Sequence, residues 1–129
     1  MKLPALTRLQ QRFSVHRLPA DAGVPAAVLD SPFFSATRTH DELSIVVPED
    51  VVVSGARQES GWSCLQVLGP LDFGLTGVLA GISRVLAAEG ISLFAVSTFD
   101  TDYILVKQEA CERARQVLEA AGYEFVESC

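Results

Sequence analysis

Apolar residues recur at helical spacing in two stretches of this chain and in alternating or short continuous runs over most of the rest. In residues 75–89, Leu75, Val78, Leu79, Ile82, Val85 and Leu86 form one stripe, which predicts a helix stopped by Gly90. A second helix is predicted over 109–121. Its stripe runs through Ala110, Ala114, Val117, Leu118 and Ala121, with Glu109 and Glu112 early, Arg113 and Arg115 later, and Gly122 past the end. Strands are predicted at Trp62 to Val67, Ser92 to Phe99, Asp102 to Lys107 and Tyr123 to Glu127, the middle two forming a hairpin across Asp100-Thr101. Alternating acidic positions mark the last of these as an antiparallel strand with one wet face. The order is β-α-β-β-α-β. That is the split pattern of the α+β ferredoxin-like fold, with both helices on one face of a four-stranded sheet.

The first sixty residues repeat part of this unit in shortened form. Phe34-Ser35-Ala36-Thr37 aligns with Phe94-Ala95-Val96-Ser97 at an offset of sixty, and Ile45 then falls on Leu105. Phe13-Ser14 and Trp62-Ser63 each open a first strand. The stretch 19–32 holds three prolines and a glycine, so it makes no convincing first helix. Only fourteen residues separate the first hairpin from Trp62, so the second helix is also reduced. The expected division is a shortened half at 1–60 and a complete half at 61–129, with Gly55 to Gly61 as the linker.

Composition narrows the functions open to such a chain. Of 129 residues 49% are hydrophobic and 20% charged, which suits a packed core. The net charge is −6 with ten scattered Lys and Arg, so the basic patch that phosphate neutralisation requires is missing and nucleic acid is not an expected partner. No apolar run approaches the roughly 18 residues that cross a bilayer, and the N-terminal residues lack the pattern of a secretory signal. Cys64, Cys111 and Cys129 are odd in number and widely spaced. They read as two core or half-core thiols and one in a loose tail, and the cytoplasm is the expected compartment.

No catalytic constellation accompanies this fold. His16 and His40 lie in a strand and a turn of the weaker half, and neither sits in a motif. Gly74-Leu-Thr-Gly77 lacks the Lys of a phosphate loop, and Asp100 and Asp102 lack calcium-loop spacing, so no cofactor or metal is expected. Two segments remain. In the first, Asp72, Phe73, Gly74, Leu75, Thr76 and Gly77 lead into the long helix. Helix-start amides attract a carboxylate, Asp72 could pair with an ammonium, and the glycines admit close approach. Gly77→Val is then expected to weaken binding more than folding. Equally, Asp72 or Thr76 could simply cap the helix. The second segment, Ser97, Thr98, Phe99 and Asp102 at the hairpin tip, offers hydroxyls, a carboxylate and an aromatic ring, but the same residues also stabilise tight turns.

GPLDFGLTGVLAGISRVLAAEGISLFAVSTFDTDYILVK resembles the core of an ACT domain, a regulatory module of amino-acid biosynthetic enzymes. With FFSATRTHDELSIV and FSVHRLPAD, nearly the whole chain is similar to small stand-alone proteins with two ACT-like halves, related to the cytosolic arginine sensors of animals. This resemblance implies a regulatory protein that binds a small effector, an amino acid above all, and that acts on a protein partner or a separate enzyme. Residues 72–77 would meet the ligand's carboxylate and amine, while Ser97, Thr98, Phe99 and Asp102 resemble pocket-lining positions. The sensors carry two tandem pairs where this chain has one, so a homodimer is expected to supply the missing interface. The alternative is an ACT-like dimer that works through protein contact alone, without a ligand.

Overall fold

The computed structural model describes residues 3–69 and 77–129. Its elements run β1 (Leu6–Leu18), α1 (Ala26–Leu29), β2 (Ser35–Arg38), β3 (Leu43–Pro48), β4 (Arg57–Val67), α2 (Val78–Ala88), β5 (Phe94–Ser97), β6 (Asp102–Lys107), a 3-10 turn (Gln108–Ala110), α3 (Cys111–Ala120) and β7 (Phe125–Glu127). Two compact units form. One holds the described residues up to Gln10 and from Ser63 onward, and the other is Gln11–Trp62. β1 and β4 are long enough to give one stretch to each.

In the first of these units the strands neighbour one another in the order β5-β6-β4-β1, and β7 pairs with β1. The last strand is shorter than its alternation suggests and is parallel to its neighbour, not antiparallel: Leu6 faces Phe125 and Thr7 faces Glu127. Its place beside β4 is taken because β1 begins at Leu6, seven residues before Phe13, and so supplies a further strand. The core gathers Leu65 and Val67 of β4, Ile82 and Leu86 of α2, Ile104 and Val106 of β6, and Ala114 and Leu118 of α3. Val78, Leu79 and Val85 are only partly buried against it, and Ala121 is exposed. Both helices end on a left-handed glycine. Gly90 (φ 69°) and Gly122 (φ 105°) let the next amides, Ile91 and Tyr123, reach back to the carbonyls of Leu86 and Leu118.

The cysteines depart from expectation. Cys111 and Cys129 form a disulfide with Cα atoms 5.7 Å apart, and Cys64 stays free and buried. A chain end that reads as a loose tail is carried back to α3 by β7, which brings the two thiols into bonding range.

The second unit orders its strands β2-β3-β1-β4. Its core is Leu18, Val28, Leu43, Ile45, Val47 and Val53. One turn of helix, α1, does form in the proline-rich stretch, entered from Pro25 and anchored by the fully buried Val28. The predicted linker is absent, because Arg57 to Gly61 belong to β4. Their polar side chains mimic a linker, yet the backbone stays in the sheet, and the Gly61 amide donates to the Glu49 carboxylate at 3.2 Å.

The two hairpins share one geometry. Ser35 pairs with Val46 and Phe94 with Leu105, and Arg38 pairs with Leu43 as Ser97 does with Asp102. The constant difference is fifty-nine, one less than the ungapped alignment gives. In a strand such a step exchanges the two faces, and fifty-nine pairs Ile45 with Ile104, each in the core cluster of its own unit. The turns follow the same offset: Thr39 N–H donates to the Glu42 carbonyl, and Thr98 N–H to that of Thr101.

On β1, Ser14, His16 and Leu18 stand opposite Val47, Ile45 and Leu43 of β3, the residues of the core face. His16 is 2% exposed, and neither ring nitrogen has a hydrogen-bond partner among the described residues. Burial holds its pKa below the usual 6.5. The folded state thus binds its proton less readily than the unfolded chain does. Stability from this group is full above about pH 6.5 and is lost as pH falls toward the folded pKa. Denaturant midpoints measured from pH 8 to 5 should fall below pH 6.5, and His16→Phe should flatten that part of the profile.

Candidate functional site

The hairpin tip between β5 and β6 is built by hydroxyls. Ser97 and Asp102 close the ladder as its last pair, and Ser97 Oγ donates to Asp102 Oδ1 at 2.6 Å. Thr98 Oγ1 accepts from the Thr101 amide at 3.2 Å and donates to the Thr101 carbonyl at 3.0 Å, reinforcing the backbone turn. Phe99 stands out from the tip, 79% exposed. These bonds realise the turn chemistry that the sequence allows.

Thr101 does something the sequence did not announce. Its side chain is buried, and Oγ1 donates to the main-chain carbonyl of Val67, the last residue of β4. Two residues later the chain enters the segment that leads to α2. The hairpin tip is therefore fastened to the end of β4. A small hydroxyl residue inside a turn carried no periodic signal. Only its pairing with a strand end some thirty residues away reveals the role.

Of the first candidate segment, Asp72, Phe73, Gly74, Leu75 and Thr76 lie outside the described residues. Gly77 is the N-cap of α2, with φ 81° and ψ 0°, and no described side chain caps the helix. The first intrahelical bond runs from Gly81 N–H to the Gly77 carbonyl at 2.8 Å. A Cβ built on Gly77 would meet no described atom within 4 Å, so the glycine answers to its left-handed backbone and not to crowding. The expectation for Gly77→Val changes accordingly. Gly77→Ala and Gly77→Val should each cost about 1–2 kcal/mol of folding stability, because both force an L side chain into that conformation. A chemical denaturation series on the two variants checks this.

Beside the tip, the Tyr103 hydroxyl is pushed up by burial first, then by Cys64 and the Asp100 carboxylate. Burial lifts the Cys64 thiol to about 12, so it is not a nucleophile at neutral pH. Among the described residues, no group of three or more His, Cys, Asp or Glu could hold a metal ion. None of the described helices is long and apolar enough to cross a membrane.

Comparison with known proteins fits this geometry. A family model for the ACT domain matches residues 57–120, and a second model, of an N-terminal domain, matches residues 11–55. The crystal structure of a protein from Agrobacterium tumefaciens is similar over 100% of this chain and 96% of its own, with 35% identity and a TM-score of 0.91. The human cytosolic arginine sensor for mTORC1, subunit 1, is 30% identical over 129 residues. The chain belongs to the ACT-domain family. The alignment with the sensor takes in 91% of this ACT protein but 39% of the sensor, so the chain spans about two fifths of the curated relatives it matches. The regulatory subunit of aspartate kinase from Thermus thermophilus has the same fold, with a TM-score of 0.68 over 93% of this chain at 10% identity.

Proposed function

We propose that this ACT protein is a non-catalytic regulator whose complete half, at about 61–129, binds a small effector, an amino acid. In this reading Leu6–Gln10 completes a ferredoxin-like unit begun at β4, and residues 1–60 are the shortened tandem partner. The observation that carries the proposal is the bond from Thr101 to the Val67 carbonyl. It holds the Ser97–Asp102 tip against the start of the segment 68–77, so that two sets of polar groups can converge on one ligand. The amides at the start of α2, with no described side chain capping them, suit a carboxylate, and Asp102 and Asp72 suit an ammonium. The relative named as an arginine sensor supports an amino acid as the ligand class.

Partner and compartment follow the same reading: a protein partner, the cytoplasm, and a homodimer joined along β5, an edge strand of its unit. The test is thermal unfolding with each of the twenty amino acids. A ligand at a hundred times its Kd adds about 2.7 kcal/mol to the native state and raises the midpoint. Asp102→Asn should abolish that rise and leave the ligand-free midpoint nearly unchanged, since the residue is not in the core. If no amino acid moves the midpoint at millimolar concentration, the protein works through contact alone.

A further inference from the structure

We infer that Cys111 and Cys129 form a reversible thiol–disulfide site that latches β7 to its sheet. Few other contacts hold that strand. β7 has three residues, two of them exposed, and its register against β1 slips between Leu6 and Thr7. Beyond the pairing, the Leu6 amide donates to the Glu124 carbonyl at 2.8 Å, Arg8 Nε to the Ser128 carbonyl at 3.1 Å, and Gln10 Nε2 to Glu127 Oε2 at 3.1 Å. The last two bonds are exposed to water and are individually weak. Of its three residues only Phe125 packs against the core, while Val126 and Glu127 stand exposed, so the strand has one side-chain anchor of its own. The covalent link from the final residue to the first residue of α3 supplies the missing constraint by closing a loop of sequence separation 18.

The two cysteines differ in exposure, which gives the exchange a direction. Cys111 is buried among the core residues of its unit, and Cys129 lies exposed at the chain end. A dithiol reductant attacks through its thiolate at Sγ of Cys129. The S–S bond breaks, and its electron pair leaves on Sγ of Cys111, which takes up a proton. The second thiol of the reductant then closes on the mixed disulfide and releases Cys129 as a thiol. Two electrons and two protons pass to the protein, and the dithiol becomes a cyclic disulfide. Cys64, buried and with its pKa raised, takes no part. Reduction frees residues 125–129, leaves the Leu6 amide without Glu124, and bares the outer edge of β1 at Leu6 and Thr7.

Two measurements on the full chain decide the matter. The first is iodoacetamide labelling read by mass, after oxidised glutathione or after dithiothreitol. An adduct at Cys129 is expected only after the reductant. Equal labelling after both treatments would overturn the site. The second is amide hydrogen exchange. Reduction should speed exchange at Leu6 and residues 125–128 at least tenfold while Leu86 and Ile104 keep their protection. Cys129→Ser, a change at an exposed residue, should show the fast pattern under both treatments. Unchanged exchange in the reduced protein and in Cys129→Ser would mean that the bridge latches nothing.

Discussion

Leu86→Ala should lower the unfolding free energy by about 2–5 kcal/mol, the range for a leucine truncated in a close-packed core. Leu86 is fully buried on α2, in the cluster that joins β4, β6 and α3. Its carbonyl also accepts the Ile91 amide and closes the helix end at Gly90. Removal of its side chain therefore opens a cavity where a helix and a sheet meet, and the rigid neighbours on β4 and β6 cannot collapse into it. Periodicity alone gives Leu79 equal standing with Leu86. In the structure Leu79 is only partly buried at the border of the same cluster, so Leu79→Ala should cost distinctly less. Urea unfolding of the two variants separates them, and equal losses would mean that the helix packs on a different face from the one described here.

The contrast between Leu79 and Leu86 shows where the sequence is legible. A stripe gives the existence of a helix and the side it buries, because both follow from a period of 3.6 residues. It does not give depth, which depends on what lies across the interface. The β5–β6 hairpin was readable from its β-branched runs and its turn residues. The partner of β7 was not, since a strand's alternation says which face is wet and nothing about which neighbour it joins. The offset between the hairpins shows the same limit. Phe34 and Phe94 draw the eye to sixty, but hydrogen-bond register settles on fifty-nine, where Thr39 and Thr98 make the same turn. Spacing hid the disulfide as well, because Cys111 and Cys129 meet only after β7 has folded back.

The candidate site divides along similar lines. Ser97, Thr98 and Asp102 were found by their chemistry, and the structure ties them into one turn. Gly77 is singled out by sequence for the close approach it admits, and the structure adds a left-handed backbone, φ 81°, that by itself favours glycine. Thr101 was passed over although it lies inside the same six-residue segment. A hydroxyl in a turn has a local explanation ready, and its distant acceptor is a backbone carbonyl, an atom every residue carries. A sequence cannot mark such an acceptor.

Thr101→Val is accordingly the sharpest probe of how the tip is built. Valine keeps the shape of threonine and deletes only the donor. The Val67 carbonyl, at a fully buried strand end, then loses that partner in a place where water does not reach. A buried polar group left so costs about 1–3 kcal/mol, and most of that should appear as lost stability. The variant also has a consequence for binding that a purely structural residue would not. With the fastening gone, the Ser97–Asp102 pair is no longer held against the end of β4, so on the proposed effector site its order must come from the ligand itself. The rise in melting midpoint caused by an effector should therefore shrink in Thr101→Val by more than its ligand-free midpoint loss predicts. Thr101→Ser restores the donor and should recover the ligand response while it retains a small packing loss. Should Thr101→Val and Thr101→Ser respond to ligand alike, the bond to Val67 serves the fold alone, and the convergence of tip and segment has no part in recognition.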